Sequence, residues 1–304
     1  MSADRVVLFE ADIAASPSAL AALLDTWVAP DLGDRPRVEF IGLGSSRFAA
    51  LVVAAQVRAA GATAWVEYAS TSAPTVPARG LVVVAISASG RTREVLDAAE
   101  RHRGRSLVIA VTNDAASPLA GQADLVVALQ AGEERSGIAA RTYRATIAAL
   151  ALLTGVATVA SLRPVVGALA DRLATSDAWC PSIVDALEGA PSIDVLADAS
   201  LLGLAEQAAL MLREAPRLPA HAYDSGDWLH TGVYLALPGH RVLLYPGAAC
   251  DDEVIDTVER RGGVVSSAAP TAGAVLARAI VDSVVAERVA AALWRRTSAH
   301  DKVP

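Results

Sequence analysis

Strands and helices alternate along this 304-residue chain, which predicts α/β architecture with doubly wound parallel sheets. Three observations carry the prediction. Leu81–Ile86 is an unbroken apolar run, LVVVAI, the mark of a strand buried on both faces. Similar short runs recur, each followed by a stretch with helical spacing. Apolar residues make up 53% of the chain and aromatics only 4%. Much of the core is therefore Ala and Val, which suits helices packed closely on a sheet.

In chain order, residues 9–27 read as helical after Asp12, with Ser16-Pro17 as a capped restart. A loop spans 30–36. Residues 37–41 form a short strand ending in Gly42-Leu43-Gly44-Ser45-Ser46, and a helix follows over about 47–60, closed by Gly61. Residues 63–69 are a strand and 70–80 a Pro-containing loop. The strand at 81–86, a hydroxyl-rich turn and a helix at about 94–103 come next. Residues 106–112 are a strand, Ser117-Pro118 opens a short helix, and 124–129 are a strand. A long helix is expected from about 137 to 160, giving a first sheet of about five strands. A helical connection at 163–185 contains Pro164. The second half repeats the plan: a short strand at 193–197, an apolar helix at 200–214, an irregular polar segment at 219–230 and a strand at 241–245. A helix at 251–260, a strand at 263–267 and a final helix at 280–294 complete it. The repetition suggests an internal duplication.

Composition removes several function classes. A net charge of −7 and a pI near 5.3 argue against nucleic acid, which needs a basic face. Lys302 is the only lysine, so lysine-dependent chemistry has one candidate. Cys180 and Cys250 have no disulfide or metal spacing, and no two of the five histidines form an i, i+4 ligand pair, so no metal is expected. The N-terminal MSADRVVLFEAD lacks a signal-peptide core, and a reducing cytoplasm is the expected setting. The uncharged run 146–162 is nearly long enough for a membrane, but it is rich in Ala, Thr and Gly without an aromatic belt. A buried helix is the expectation there, with no membrane partner.

The chemistry is expected at the carboxyl ends of the strands, where parallel sheets bind ligands. Ser87-Ala88-Ser89-Gly90-Arg91-Thr92 follows the buried strand and opens a helix. Backbone N–H groups and the helix dipole converge there on an anion, Ser87, Ser89 and Thr92 add hydroxyl donors, and Gly90 lets the backbone approach closely. The turn reads as a phosphate cradle; the alternative is that Ser89 or Thr92 merely caps the helix. The turn at 42–46 is not G-x-G-x-x-G and no acidic ribose anchor follows it, so nicotinamide binding is not expected. Ser45-Ser46 and the 87–92 loop suit one sugar phosphate instead. Glu214, at the end of an apolar helix, is placed to have a raised pKa and to move protons near neutral pH. His230 lies sixteen residues on. A carboxylate and an imidazole on one sugar is what aldose–ketose chemistry needs, although either residue alone also reads as ordinary surface.

These motifs together resemble the sugar isomerase (SIS) domain family in its double-domain form. The pattern is similar to the isomerase half of glucosamine-6-phosphate synthase and to stand-alone phosphosugar deaminases and fructosamine-6-phosphate deglycases. Gly44-Ser45-Ser46 resembles the family's Gly-Thr-Ser turn, and ISASGRT at 86–92 its Ser-Gln-Ser-Gly-Glu-Thr phosphate loop. Residues 9–24 resemble its N-terminal helix, Thr112-Asn113 and 131–143 its Ala-Gly-x-Glu region, and 210–230 its Glu-to-His interval. The resemblance implies two flavodoxin-like, three-layer αβα domains, 1–160 with the N-terminal helix and 161–304 with the connecting helix. It implies that Ser45, Ser46, Ser87, Ser89, Gly90 and Thr92 hold the phosphate and that Glu214 is the acid/base on C1 and C2. His230 would open the sugar ring, reaching the site of a neighbouring subunit in a homodimer. No cofactor is implied.

The departures narrow the activity. Ala88 and Arg91 replace the usual Gln and Glu, and Arg91 either strengthens anion binding or faces solvent. Met211 stands where the synthase has a lysine, Ala139-Ala140-Arg141 replaces Ser-Thr-Lys, and Lys302 is a weak substitute for the lysine-bearing tail. No glutaminase domain is expected before the first helix. These losses disfavour amide-nitrogen transfer and leave deamination or deglycation of an amino- or amino-acid-substituted sugar 6-phosphate. Plain aldose–ketose isomerisation and a non-catalytic sugar-phosphate sensor are the alternatives.

Overall fold

In a computed structural model, residues 3–30, 32 and 37–300 are described. Lys302 and most of the 30–36 loop lie outside them. The chain divides into two compact units, one of residues 16–133 and 141–166, the other of 1–15, 134–140 and 167–304. The first sheet falls within 1–160 and the second within 161–304, but the N-terminal helix belongs to the unit of the second sheet.

Helix α1 (Ala3–Ala14) precedes α2 (Ser16–Thr26), so helix begins well before Asp12, which lies inside α1. Then follow β1 (Arg37–Gly42), α3 (Gly44–Ala59), β2 (Thr63–Tyr68), β3 (Leu81–Ile86), α4 (Arg93–His102) and β4 (Leu107–Thr112). The first-sheet unit continues with α5 (Pro118–Gln122), β5 (Leu125–Ala128) and α6 (Arg141–Leu153). Its five strands are parallel in the order β2-β1-β3-β4-β5. Every residue of β3 is buried, as a strand covered on both faces requires. Val83, Ala85, Val108 and Ala110 meet Val95, Ala98 and Ala99 of α4 in one apolar layer.

The expected long helix at 137–160 is two helices. Helix α6 ends at Leu153, and α7 (Val159–Ala174) starts again beyond Gly155, whose φ of +73° no right-handed helix accommodates. From Arg141 to Leu153 only Arg141 is not buried, so the first half of the apolar run at 146–162 serves the core, while 154–161 are half-buried or exposed. Among the described residues no single helix is long and apolar enough to cross a membrane.

The second-sheet unit holds α8 (Ser176–Leu187), β6 (Ile193–Ala197), α9 (Leu202–Glu214), β7 (Ala220–Asp224), α10 (Ser225–Trp228) and β8 (Arg241–Tyr245). It ends with α11 (Asp251–Arg260), β9 (Val264–Ser267), α12 (Val275–Val281) and α13 (Ser283–His300). Its parallel sheet runs β7-β6-β8-β9, the same plan with one strand fewer. Two expectations change here. The polar segment at 219–230 contains strand β7 and helix α10; β7 is an edge strand, so its sequence lacks an apolar run. The final helix at 280–294 is the pair α12 and α13, broken at Asp282, whose buried carboxylate accepts the Thr271 N–H and hydroxyl.

A buried acid–base pair lies inside the first-sheet unit. Glu39 of β1 and His102 of α4 are 0% and 1% exposed, with His102 Nε2 3.8 Å from Glu39 Oε2. Thr75 and Trp65 face Glu39 without reaching hydrogen-bond geometry. Burial, against weaker opposing contacts, pushes the Glu39 carboxyl up, and burial with Arg101 and Arg105 pushes His102 down.

Candidate active site

In the first sheet the chain runs from β1 outward to β2, then returns to place β3 on the other side of β1. The crevice beyond the carboxyl ends of β1 and β3 is thus the topological switch point, where ligands bind in such sheets. Both hydroxyl loops open onto it. Leu43 is extended (φ −135°, ψ 154°), and α3 begins at Gly44, so Ser45 and Ser46 sit in its first turn rather than in a preceding loop. Across from them, Ser87, Ser89 and Thr92 follow β3. These five hydroxyl residues line one cavity of about 240 Å³, with Leu43, Ile86 and Val95 as apolar wall.

The helix-cap alternative fails on geometry. Thr92 occupies the position before α4 but caps nothing with its side chain. Its hydroxyl instead meets the Ser87 hydroxyl at 3.0 Å. The Ser89 hydroxyl accepts the Arg91 N–H at 3.2 Å. Leu43, before α3, supplies no side-chain cap either. Two helix N-termini therefore meet the cavity without side-chain caps.

Neighbouring strands fix the loop. The Ala88 carbonyl accepts both the Asn113 N–H (3.0 Å) and the Thr112 hydroxyl (3.1 Å). The Gly90 carbonyl accepts the Leu119 N–H at 3.1 Å. Gly90 supports the cradle from behind rather than lining it. Its φ is +62°, and a Cβ there would stand 2.0 Å from Ser117 Oγ and 2.3 Å from Ser117 Cβ. Arg91 turns outward and pairs with Asp114 at 2.9 Å, so no charged side chain lines the cavity.

The two expected acid–base residues belong to the other unit. Glu214 is the last residue of α9 and is half-buried. Burial pushes its carboxyl above the ordinary range, against the pull of Arg217, Arg213 and Arg5. Its place at the negative end of the helix acts in the same direction. His230 follows α10, is exposed, and donates its backbone N–H to the Asp227 carbonyl. No hydrogen bond or ion pair joins Glu214 to His230 among the described residues. No three side chains of His, Cys, Asp or Glu gather there as a metal site needs.

The second sheet has the same switch point, beyond β6 and β8, but three of its loop N–H groups already meet carboxylates. Asp251 accepts the N–H groups of Gly247 and Ala248, and Asp198 accepts that of Ser200.

Residues 31–157 match the SIS domain. The matched stretch contains β1 to β5 and the whole cradle. A glutamine–fructose-6-phosphate aminotransferase (isomerizing) from Aeropyrum pernix is 31% identical over 207 residues, covering 62% of this chain and 34% of that protein. The match thus spans about a third of that relative's length. Among solved structures, the C-terminal domain of the Francisella tularensis glucosamine-fructose-6-phosphate aminotransferase superposes with a TM-score of 0.81 at 16% identity, covering 96% of each chain. Glucosamine-6-phosphate deaminase from Thermotoga maritima superposes with a TM-score of 0.78 at 17% identity, covering 95% of each. The two-sheet parallel α/β fold is that of these structures.

Sequence reasoning missed Asp114, Ser117 and Leu119. Each meets the cradle loop from the neighbouring β4–α5 turn or the first turn of α5, a pairing that only the strand order reveals. It also missed Asp194, a buried carboxylate of β6 that accepts from Trp228 Nε1 at 2.8 Å and lies 3.0 Å from His240 Nε2.

Proposed function

We propose that this protein is a phosphosugar isomerase-type enzyme acting on an amino- or amino-acid-substituted sugar 6-phosphate. The observation that carries this reading is the hydroxyl-lined cavity at the first switch point, where two helix N-termini have no side-chain cap. A phosphate suits it, because its oxygens accept from N–H and O–H donors together. The isomerizing relative and the deaminase-like structure support the same substrate class.

In this reading the cradle takes the phosphate through Ser45, Ser46, Ser87, Ser89 and Thr92. His230, supplied by the neighbouring protomer of a homodimer, gives a proton to the ring oxygen and opens the sugar. Glu214, ionised, then takes the proton from one of C1 and C2 and returns it to the other. For a 2-amino aldose this converts the C1 aldehyde to an alcohol and leaves an imine at C2. Water adds to that imine, and ammonia leaves with a ketose phosphate as the other product. For a 1-amino-acid-substituted ketose the proton moves the opposite way, and water releases the amino acid from C1. Both routes need only an acidified C–H beside a carbonyl or imine, so the reading requires no cofactor. The cytoplasm, with Cys180 and Cys250 as free thiols, is the proposed setting.

The test incubates the protein with glucosamine 6-phosphate and with a fructose-amino acid 6-phosphate in D₂O. Release of ammonia or amino acid, with deuterium entering C1 or C2, is the expected result. Deuterium exchange without release would assign plain aldose–ketose isomerisation. Binding without exchange would leave a sensor and refute catalysis.

A further inference from the structure

We infer that Arg91 is a recruitable cation for the cradle, held on Asp114 until an anion arrives. The inference rests on the cradle being the phosphate site.

Arg91 lies between Ser89 and Thr92, both of which line the cavity, while the cavity itself contains no charge. A phosphate entering it meets dipoles and hydroxyls only, so its negative charge is incompletely balanced. Three guanidiniums adjoin the lining residues in sequence: Arg47 lies over the Tyr68 ring, Arg93 lies 3.8 Å from Asp97, and Arg91, the one inside the loop, is engaged on Asp114 at 2.9 Å. The two partners differ in freedom. Asp114 is fixed: its Oδ1 accepts the Ala116 N–H at 2.9 Å, its own N–H donates to Thr112 Oγ1 at 3.2 Å, and its carbonyl accepts the Ser117 N–H. The Arg91 backbone is held by the bond of its N–H to Ser89 Oγ, but its side chain is 60% exposed and long. Exposed ion pairs of this kind are weak, whereas a guanidinium on a phosphate forms a paired, charge-assisted contact. The guanidinium therefore exchanges a weak carboxylate contact for a stronger phosphate one, and Asp114 tunes affinity by competing for it.

The test is a double-mutant cycle: wild type, R91A, D114N and R91A/D114N, each titrated with inorganic phosphate and with glucosamine 6-phosphate. Asn keeps the Oδ1 acceptor for Ala116, and Arg91 is exposed and Asp114 half-buried; unchanged melting temperatures confirm that the variants fold. R91A is expected to weaken both ligands roughly fivefold and to flatten the salt dependence of binding. D114N is expected to tighten them about two- to fivefold, the range of an exposed ion pair, and to lose that gain when Arg91 is absent. Unchanged affinity in R91A, or the same D114N gain with and without Arg91, overturns the inference while leaving the cradle intact. Failure of the wild type to bind either ligand overturns the cradle reading itself, and this inference with it.

Discussion

Replacing Gly90 with alanine tests whether the cradle is shaped by its support rather than by its hydroxyls. The new Cβ would stand 2.0 Å from Ser117 Oγ and 2.3 Å from Ser117 Cβ, with Thr112 Oγ1 at 3.1 Å. Such separations do not exist in folded proteins, so either Ser117 or the loop moves. Ser117 is held, because it is the N-cap of α5 and its hydroxyl accepts the Ala120 N–H. Three costs combine. A non-glycine residue at φ +62° costs about 1 kcal/mol. Overpacking a closed contact costs about 1–3 kcal/mol. Displacing the cap costs about 1 kcal/mol. Gly90→Ala should therefore destabilise the first-sheet unit by roughly 3–5 kcal/mol, read by urea denaturation. Phosphate affinity should fall more than tenfold, because Ser87, Ser89 and Thr92 move with the loop. Ser117→Gly removes both short contacts, so the double variant should be more stable than Gly90→Ala alone and should regain phosphate binding. A Gly90→Ala protein within about 0.5 kcal/mol of wild type, or a Ser117→Gly change that rescues nothing, would refute the reasoning.

Three further outcomes are expected. Ser89→Ala with Thr92→Ala should weaken phosphorylated sugars roughly tenfold or more and leave unphosphorylated ones nearly unchanged, as titration of each will show. Glu214→Gln should abolish C1–C2 deuterium exchange while sparing phosphate binding. In the wild type the exchange rate should climb with pH through a value above the usual 4.5, since burial favours the protonated carboxyl and the ionised form is the base. Glu39→Gln should raise the melting temperature at pH 8 and leave it unchanged below pH 4.5. A carboxyl whose folded pKa is raised contributes stability in acid and loses it as pH rises through that value, and the amide removes the loss.

Much of the fold was legible because its strongest signals are local. The run at 81–86 declares a two-face buried strand without help from the rest of the chain, and the hydroxyls at 87–92 mark the turn that lines the cavity. What was not legible depended on partners distant in sequence. Strand β7 reads as polar loop because an edge strand needs no apolar run, and only its register with β6 makes it a strand. The break between α6 and α7 falls at Gly155 among the β-branched Thr154, Val156 and Thr158, a weak local signal that the continuous uncharged run concealed. Ser45 and Ser46 line the cavity from inside α3, not from a turn before it as the sequence reads, because nothing local tells how few residues turn a strand into a helix. Arg91 could be read either way until Asp114, 23 residues on, gave it a position.

The two sheets repeat one plan, yet their switch points are furnished differently. In the second, Asp251 accepts the N–H groups of Gly247 and Ala248, and Asp198 that of Ser200. Those carboxylates are part of the chain itself, so the loops close on their own negative groups. In the first, neither helix start carries a side-chain cap, and its donors face a cavity instead. One layout, used twice, thus ends once in self-contained loops and once in a space lined by hydroxyls.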